Sequence, residues 1–156
     1  MRKEVKDKID LWVLYITSLV GLPYVILITI GLWSFEKIKI MEEFVLAIVI
    51  CEVVIYTIRY FYFRPRPIGK TENFTSLFER LDESSFPSIH AARAGIFAVI
   101  LSQMIPMKAK ILLWIMSGAV CVSRIYLKRH HPSDVIVGGI LGLIISYFII
   151  VVGGPI

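Results

Sequence analysis

Five long apolar runs alternate with polar connections along this chain. The first, Leu11 to Phe35, holds 25 residues without a charge. A helix of that length rises about 1.5 Å per residue and crosses a hydrocarbon core of ~30 Å with some tilt. Pro23 predicts a kink within it. The second run, about Phe44–Phe63, contains Glu52 and Arg59. The third starts near Ser88 and reaches about Met107, with His90 and Arg93 near its beginning. The fourth is about Ile111–Leu127, and Arg124 sits near its end. The fifth, Val135–Ile156, has no charge, and Gly138, Gly142 and Ser146 recur in it at every fourth residue. That spacing of small residues lets another helix approach closely, within the chain or between chains, so the oligomeric state is left open.

The connections are short except for the one between Arg64 and Pro87. There Phe74, Leu77, Phe78 and Leu81 fall at i, i+3, i+4 and i+7, while Lys70, Glu72, Glu79, Arg80 and Asp82 take other positions. This is the pattern of an amphipathic helix. It lies in the plane of a membrane interface or caps the helix ends as a lid. Either way an apolar surface stands beside the link between the second and third runs.

Composition agrees with the pattern. Of 156 residues, 57 % are hydrophobic and 19 % charged, and the mean hydropathy is +0.77. A soluble domain of this kind would expose large apolar patches. The expected fold is therefore all-α: a polytopic membrane bundle of about five transmembrane helices with an interfacial amphipathic loop helix. With no internal repeat or low-complexity segment, residues 1–156 read as a single integral membrane domain. The first run is too long for the apolar core of a signal peptide. The net charge of +5 does not point to nucleic acid, because the basic residues sit between apolar runs. Cys51 and Cys121 both lie inside such runs and have no metal-ligand company.

The polar residues converge on one membrane face. Let side A hold Met1. The second helix returns to A with Arg59, Arg64 and Arg66, and the third leaves it with Ser88, His90 and Arg93. The fourth returns with Ser123 and Arg124, and His130 and Asp134 follow at the turn into the fifth. Glu52, Gln103 and the loop charges are the exceptions. Cations within a span cost about 2.5–3.5 kcal/mol on insertion scales, less near the interface where long side chains snorkel. Snorkelling accounts for Arg64 and Lys128. It does not account for Arg59, Arg66 and Arg124 gathered with two histidines and an aspartate. Those guanidinium groups need an anion, and phosphate matches their forked geometry.

The spacing sharpens this. Arg59, Arg66 and Pro67 read R-x6-RP; Pro87, Ser88, Ile89 and His90 read P-S-I-H; residues 123–134 read SRIYLKRHHPSD. In order and spacing these segments resemble the three motifs of the type 2 phosphatidic acid phosphatase superfamily, K-x6-RP, P-S-G-H and S-R-x5-H-x3-D. The resemblance covers Arg59 to Asp134. It implies a lipid phosphate phosphatase working through a phosphohistidine, with neither a cofactor nor a divalent metal. The same roles follow from the chemistry of phosphate ester cleavage, which needs a nucleophile, a proton donor and cations for the phosphoryl oxygens. His130 supplies the nucleophilic nitrogen. Asp134 holds its other ring nitrogen, and His90 protonates the leaving oxygen. Arg59, Arg66 and Arg124 clamp the phosphoryl oxygens, with Ser88 adding a hydroxyl or amide donor at the start of a helix.

Two positions depart from the family pattern. Ile89 replaces a glycine, so its side chain points away and leaves its amide available, or it reshapes the pocket. Arg59 replaces a lysine, which keeps the charge but changes the geometry. His131 adjoins His130, but the spacing to Arg124 and Asp134 selects His130. Glu52 reads as the ionic partner of an arginine, with Arg93 the candidate.

Thirteen of the seventeen Lys and Arg residues fall on side A, which assigns the site to the cytoplasmic face. The expected partners are the bilayer and a lipid phosphate substrate: phosphatidic acid, a phosphatidylglycerol phosphate, or an isoprenyl phosphate or diphosphate. Three alternatives share the motifs. Vanadate-dependent haloperoxidases are soluble and much larger. A phosphotransferase would pass the phosphoryl group to an acceptor other than water. A non-catalytic lipid-phosphate binding or transport protein would bind without turnover.

Overall fold

In the computed structural model, which describes residues 2–68 and 74–154, the first apolar run is two helices and not one. Helix α1, Arg2–Ser18, and helix α2, Leu22–Ser34, meet at a bend of 44°. The break falls one turn ahead of Pro23, not at it. Proline lacks an amide hydrogen, and its ring clashes with the carbonyl four residues back, so α1 cannot run on. Pro23 instead sits in the first turn of α2, where no hydrogen-bond donor is needed.

The remaining elements follow the apolar runs with shifted ends. Helix α3 is Ile38–Phe61, α4 is Leu77–Glu83 and α5 is Ile89–Ile100, continued by a 3-10 turn over Leu101–Met104. Helix α6 is Met107–Tyr126 and α7 is Pro132–Gly153. Helix α3 thus begins earlier than the apolar pattern indicated and includes Glu42, which is exposed, and Glu43, which is buried. The amphipathic segment forms only the short α4, capped by the Ser76 hydroxyl accepting from the Glu79 amide at 3.2 Å. Phe74 packs on Phe63 outside the helix, while Leu77 and Phe78 face outward. Lys70 and Glu72, assigned by the pattern to its polar side, lie outside the described residues, as do Pro155 and Ile156.

The described residues are all-α. By length and apolarity α6 and α7 qualify as candidate membrane spans, and the bent α1–α2 pair is a third candidate when its two helices are counted as one broken span. The outward faces of the bundle are apolar, with Leu27, Val53, Ile115, Ile144, Phe148 and Val152 exposed. Trp12 and Trp33 are exposed near helix ends.

Helix α5 is the centre. Its Ala91, Ala92, Ala94, Gly95 and Ala98 are buried, and it packs on α3, α6 and most extensively α7. Small residues bring the axes together, the favoured solution where lipid removes any hydrophobic drive between helices. A Cβ added at Gly138 would lie 2.3 Å from the Ser88 carbonyl oxygen, and one at Gly142 would lie 2.1 Å from that of Ala92. The glycine face of α7 is therefore occupied within the chain, by α5. Phe44 and Phe97 pack with ring planes tilted by 57° and ring centres 5.1 Å apart in the core that α3 and α5 share.

Candidate active site

Three segments meet at the A end of the bundle: the end of α3 with residues 62–66, the loop 84–88 leading into α5, and the α6–α7 connection. The first two are tied by backbone bonds. The Ser85 amide donates to the Arg64 carbonyl at 2.8 Å, and the Ser85 hydroxyl donates to the Pro65 carbonyl at 3.1 Å. Ser84 and Ser85 are fully buried. The third segment is wound back by the Arg124 carbonyl, which accepts from the amides of Arg129 and His130. The Ser88 amide then closes the ring by donating to the Asp134 carbonyl at 3.0 Å.

These ties fix the imidazole of His130, which is buried. Its Nδ1 lies 2.7 Å from the Ser85 carbonyl oxygen. A carbonyl only accepts, so Nδ1 carries the hydrogen and Nε2 keeps its lone pair. Burial pushes the His130 pKa down to about 3, against the Ser85 hydrogen bond and helped by the positive charges of Arg124, Arg66 and Arg59. His130 is thus a neutral imidazole with an unprotonated Nε2 at pH 7. His90 stands in the first turn of α5, within electrostatic reach of His130, Arg66, Arg93 and Arg124. Its ring makes no hydrogen bond to the described residues.

The partner of His130 differs from the expectation. Asp134 does not hold its second ring nitrogen; the Ser85 carbonyl does. Asp134 is fully buried in the first turn of α7, and its Oδ2 accepts from the His131 amide at 2.8 Å. Its Oδ1 accepts from Arg64 Nη1 at 2.6 Å. Arg64, read from sequence as a snorkelling cation, is therefore the ionic partner of Asp134, and it also reaches the Ser133 hydroxyl at 2.8 Å. Geometry decides this, since Asp134 faces the link after α3 and not the imidazole.

The guanidinium groups are partly engaged. Arg59 Nη1 donates to the Leu81 carbonyl at 3.0 Å and Nη2 to the Pro87 carbonyl at 2.9 Å. A fork bridges two carbonyls where an ammonium offers one compact charge, a physical use for arginine in place of the family lysine. Arg66 Nη2 donates to the Asp82 carbonyl, and Arg124 Nη1 to the Thr17 hydroxyl at 2.9 Å. In all three residues the Nε–H is buried without a hydrogen-bond partner among the described residues, although Arg66 Nε faces Glu83 Oε2 at 3.9 Å in an ion pair. Buried donors of this kind are rarely left unpaired, and guanidinium groups pair readily with anions.

Ser88 is the N-cap of α5; its hydroxyl accepts from the Ala91 amide at 3.4 Å and its own amide is taken by Asp134. It offers a site ligand the hydroxyl hydrogen only. The Ile89 side chain is buried in the apolar core, so it points away from the site. Arg93 binds Glu52 through Nε at 2.9 Å and through Nη2, and its Nη1 reaches the Val20 carbonyl at the α1–α2 break. The Glu52–Arg93 pair joins α3 to α5 as the sequence suggested. Thr17 and Ser85 went unnoticed in the sequence. Among the described residues no three His, Cys, Asp or Glu side chains are grouped to hold a metal ion.

A family model of the PAP2 superfamily matches residues 43–154. Among solved structures, LpxE from Aquifex aeolicus superposes with a TM-score of 0.76 at 28 % identity, over 90 % of this chain and 84 % of that one. A transmembrane PAP2-type phosphatidylglycerolphosphate phosphatase from Bacillus subtilis superposes with a TM-score of 0.68 at 24 % identity, over 90 % and 74 %. At that last identity the likeness is one of fold.

Proposed function

The chain belongs to the PAP2 superfamily, and from that premise we propose that it is an integral membrane phosphatase cleaving the phosphate monoester or diphosphate of a lipid. One observation carries the reading: a buried neutral imidazole with an unprotonated Nε2 lies within electrostatic reach of Arg59, Arg66 and Arg124, each with a buried Nε–H that makes no hydrogen bond to the described residues. Phosphate completes that arrangement. His130 Nε2 attacks phosphorus, and the bond from phosphorus to the lipid oxygen breaks. The bound phosphate offsets the positive charges of Arg124, Arg93 and Arg66 near His90, so His90 takes up a proton with the substrate and hands it to the departing oxygen. Ser85 holds the positive imidazole of the phosphohistidine through Nδ1–H. Water, losing a proton to His90, then attacks phosphorus and releases inorganic phosphate. Arg59, Arg66 and Arg124 hold the phosphoryl oxygens throughout.

The lipid part of the proposal rests on the setting. A furrow of about 560 Å³ on the outer face of α3 is lined by Val49, Val53, Tyr56, Tyr60 and Leu81 among others. Tyr56 lies under the Arg59 guanidinium, and Leu81 binds it, so an acyl or prenyl chain in the furrow delivers its phosphate to the clamp. Five passes fit the same scheme. Helix α3 has 24 residues, about 36 Å. Its charges are near its ends apart from Glu52, which is paired to Arg93. With α5 and its 3-10 turn, α3 joins the three spans above. The surplus of Lys and Arg on side A assigns the site to the cytoplasmic face.

The test is phosphate release by the detergent-purified chain from phosphatidic acid and from an isoprenyl diphosphate, with EDTA present. Release that survives EDTA and disappears in His130→Ala is expected. Release unchanged in His130→Ala refutes the nucleophile, and absence of release from any lipid phosphate leaves the pocket a binding site.

A further inference from the structure

The end of the bundle remote from His130 holds a second cluster that the phosphatase chemistry does not use. Glu43, in α3, is 5 % exposed. Its Oε2 accepts from Gln103 Nε2 at 2.8 Å, which accounts for a polar side chain of the third run that lies away from the site. Its Oε1 is buried and has no partner among the described residues. A carboxylate oxygen taken out of water without a donor is costly, so this one marks a place for a ligand donor.

A cavity of about 320 Å³ opens beside it, within the range of small-ligand sites. Lys39, Glu42 and Glu43 line one part, and Leu46, Phe148 and Val152 form apolar wall. Gly153 also lines it, and a Cβ there would stand 3.4 Å from Glu43 Oε1. The glycine keeps the space over that oxygen open. Lys39 Nζ is held at the same mouth by the Gly154 carbonyl at 2.8 Å.

Two carboxylates and one ammonium above an apolar wall complement a zwitterionic headgroup attached to an acyl chain. The headgroup ammonium meets Glu43 Oε1 and Glu42, the phosphate meets Lys39, and the chain follows Leu46, Phe148 and Val152. A primary ammonium carries the N–H donors that Oε1 lacks. A trimethylammonium carries none, and an anionic glycerol headgroup sets negative charge against both carboxylates. We propose that this cavity binds a phospholipid with a primary-amine headgroup, of the phosphatidylethanolamine type, at the end of the bundle opposite the phosphatase site. This site stands whether or not His130 is a nucleophile.

The experiment is native mass spectrometry of the full chain purified in detergent and offered equal amounts of phosphatidylethanolamine, phosphatidylcholine and phosphatidylglycerol. The amine lipid is expected to be retained about tenfold over the choline lipid, the value of one charge-assisted hydrogen bond to a buried carboxylate. Gly153→Val, which fills the space over Oε1, is expected to remove the preference, as is Glu43→Gln. Should Glu43→Gln not fold, Gly153→Val at the rim decides. Retention of all three lipids alike, or a preference undiminished in Gly153→Val, overturns the proposal.

Discussion

Gly138→Ala should damage both the fold and the site, and Gly139→Ala should do neither. The added Cβ at residue 138 falls 2.3 Å from the Ser88 carbonyl oxygen, 3.0 Å from its nitrogen and 3.1 Å from its carbonyl carbon. All three are backbone atoms, so no side chain can turn aside. A carbon–oxygen contact settles at about 3.3 Å, which requires α5 and α7 to separate by about 1 Å. Overpacking on that scale costs about 1–3 kcal/mol. The separation also stretches the Ser88 N–H to Asp134 bond, now 3.0 Å, and removes about another 1 kcal/mol. Together these predict a fall in Tm of roughly 5–15 °C for a chain of this size. Ser88 and His90 open α5, so the same shift misplaces the proposed acid, and a 1 Å misplacement costs on the order of 10²-fold in turnover. A Cβ at Gly139 meets nothing within 4 Å, and alanine gains up to ~1 kcal/mol of helix propensity there. Thermal unfolding in detergent and phosphate release, run on both variants, make the comparison. A Gly138→Ala protein matching Gly139→Ala in Tm and turnover would refute the reasoning.

Other outcomes follow from single contacts. Arg64→Ala strands the fully buried Asp134 and should cost about 1–3 kcal/mol, below the range for a fully buried pair because Arg64 is 31 % exposed; thermal unfolding measures it, and an unchanged Tm argues against the pair. Thr17→Val removes the acceptor of Arg124 Nη1 and should lower kcat/KM about tenfold through KM, with Thr17→Ser close to wild type; equal damage from both substitutions would mean that Thr17 only packs. His130 should stay neutral well below pH 6.5, so its ring signals in a histidine-labelled NMR titration should not move between pH 7.5 and 5; a midpoint near 6.5 would contradict its burial. The sign for stability follows. The unfolded chain takes up this proton below about pH 6.5 and the folded one only near 3, so acid lowers stability across that window. His130→Gln should flatten that slope in Tm against pH.

Much of this protein is written locally along the chain. The apolar runs announce their helices because spanning segments must be long and apolar, and Pro23 announces a break because its ring forbids the turn before it. The α6–α7 connection is legible too: Arg124, His130 and Asp134 are near neighbours in sequence, so their spacing survives folding whatever surrounds them. Glu52 with Arg93 was readable because two opposite charges at similar membrane depth have few other partners.

Tertiary structure decided who touches whom across larger separations. Asp134 has Arg64 and not His130 as its partner, which depends on how the link after α3 lies over the first turn of α7. His130 is oriented by Ser85 across 45 residues, and Arg124 by Thr17 across 107. A backbone carbonyl belongs to every residue, so no pattern marks Ser85 as an acceptor. An arginine reaches far enough that many acceptors compete for it. The glycines of α7 promised close packing without naming the neighbour, and only the assembled bundle places Ser88 and Ala92 of α5 against them. Composition and spacing mark which segments are long and apolar and which polar residues stand at fixed intervals, because those are properties of short stretches. Hydrogen-bond partners and free donors are properties of packed surfaces, and they exist only once the helices have met.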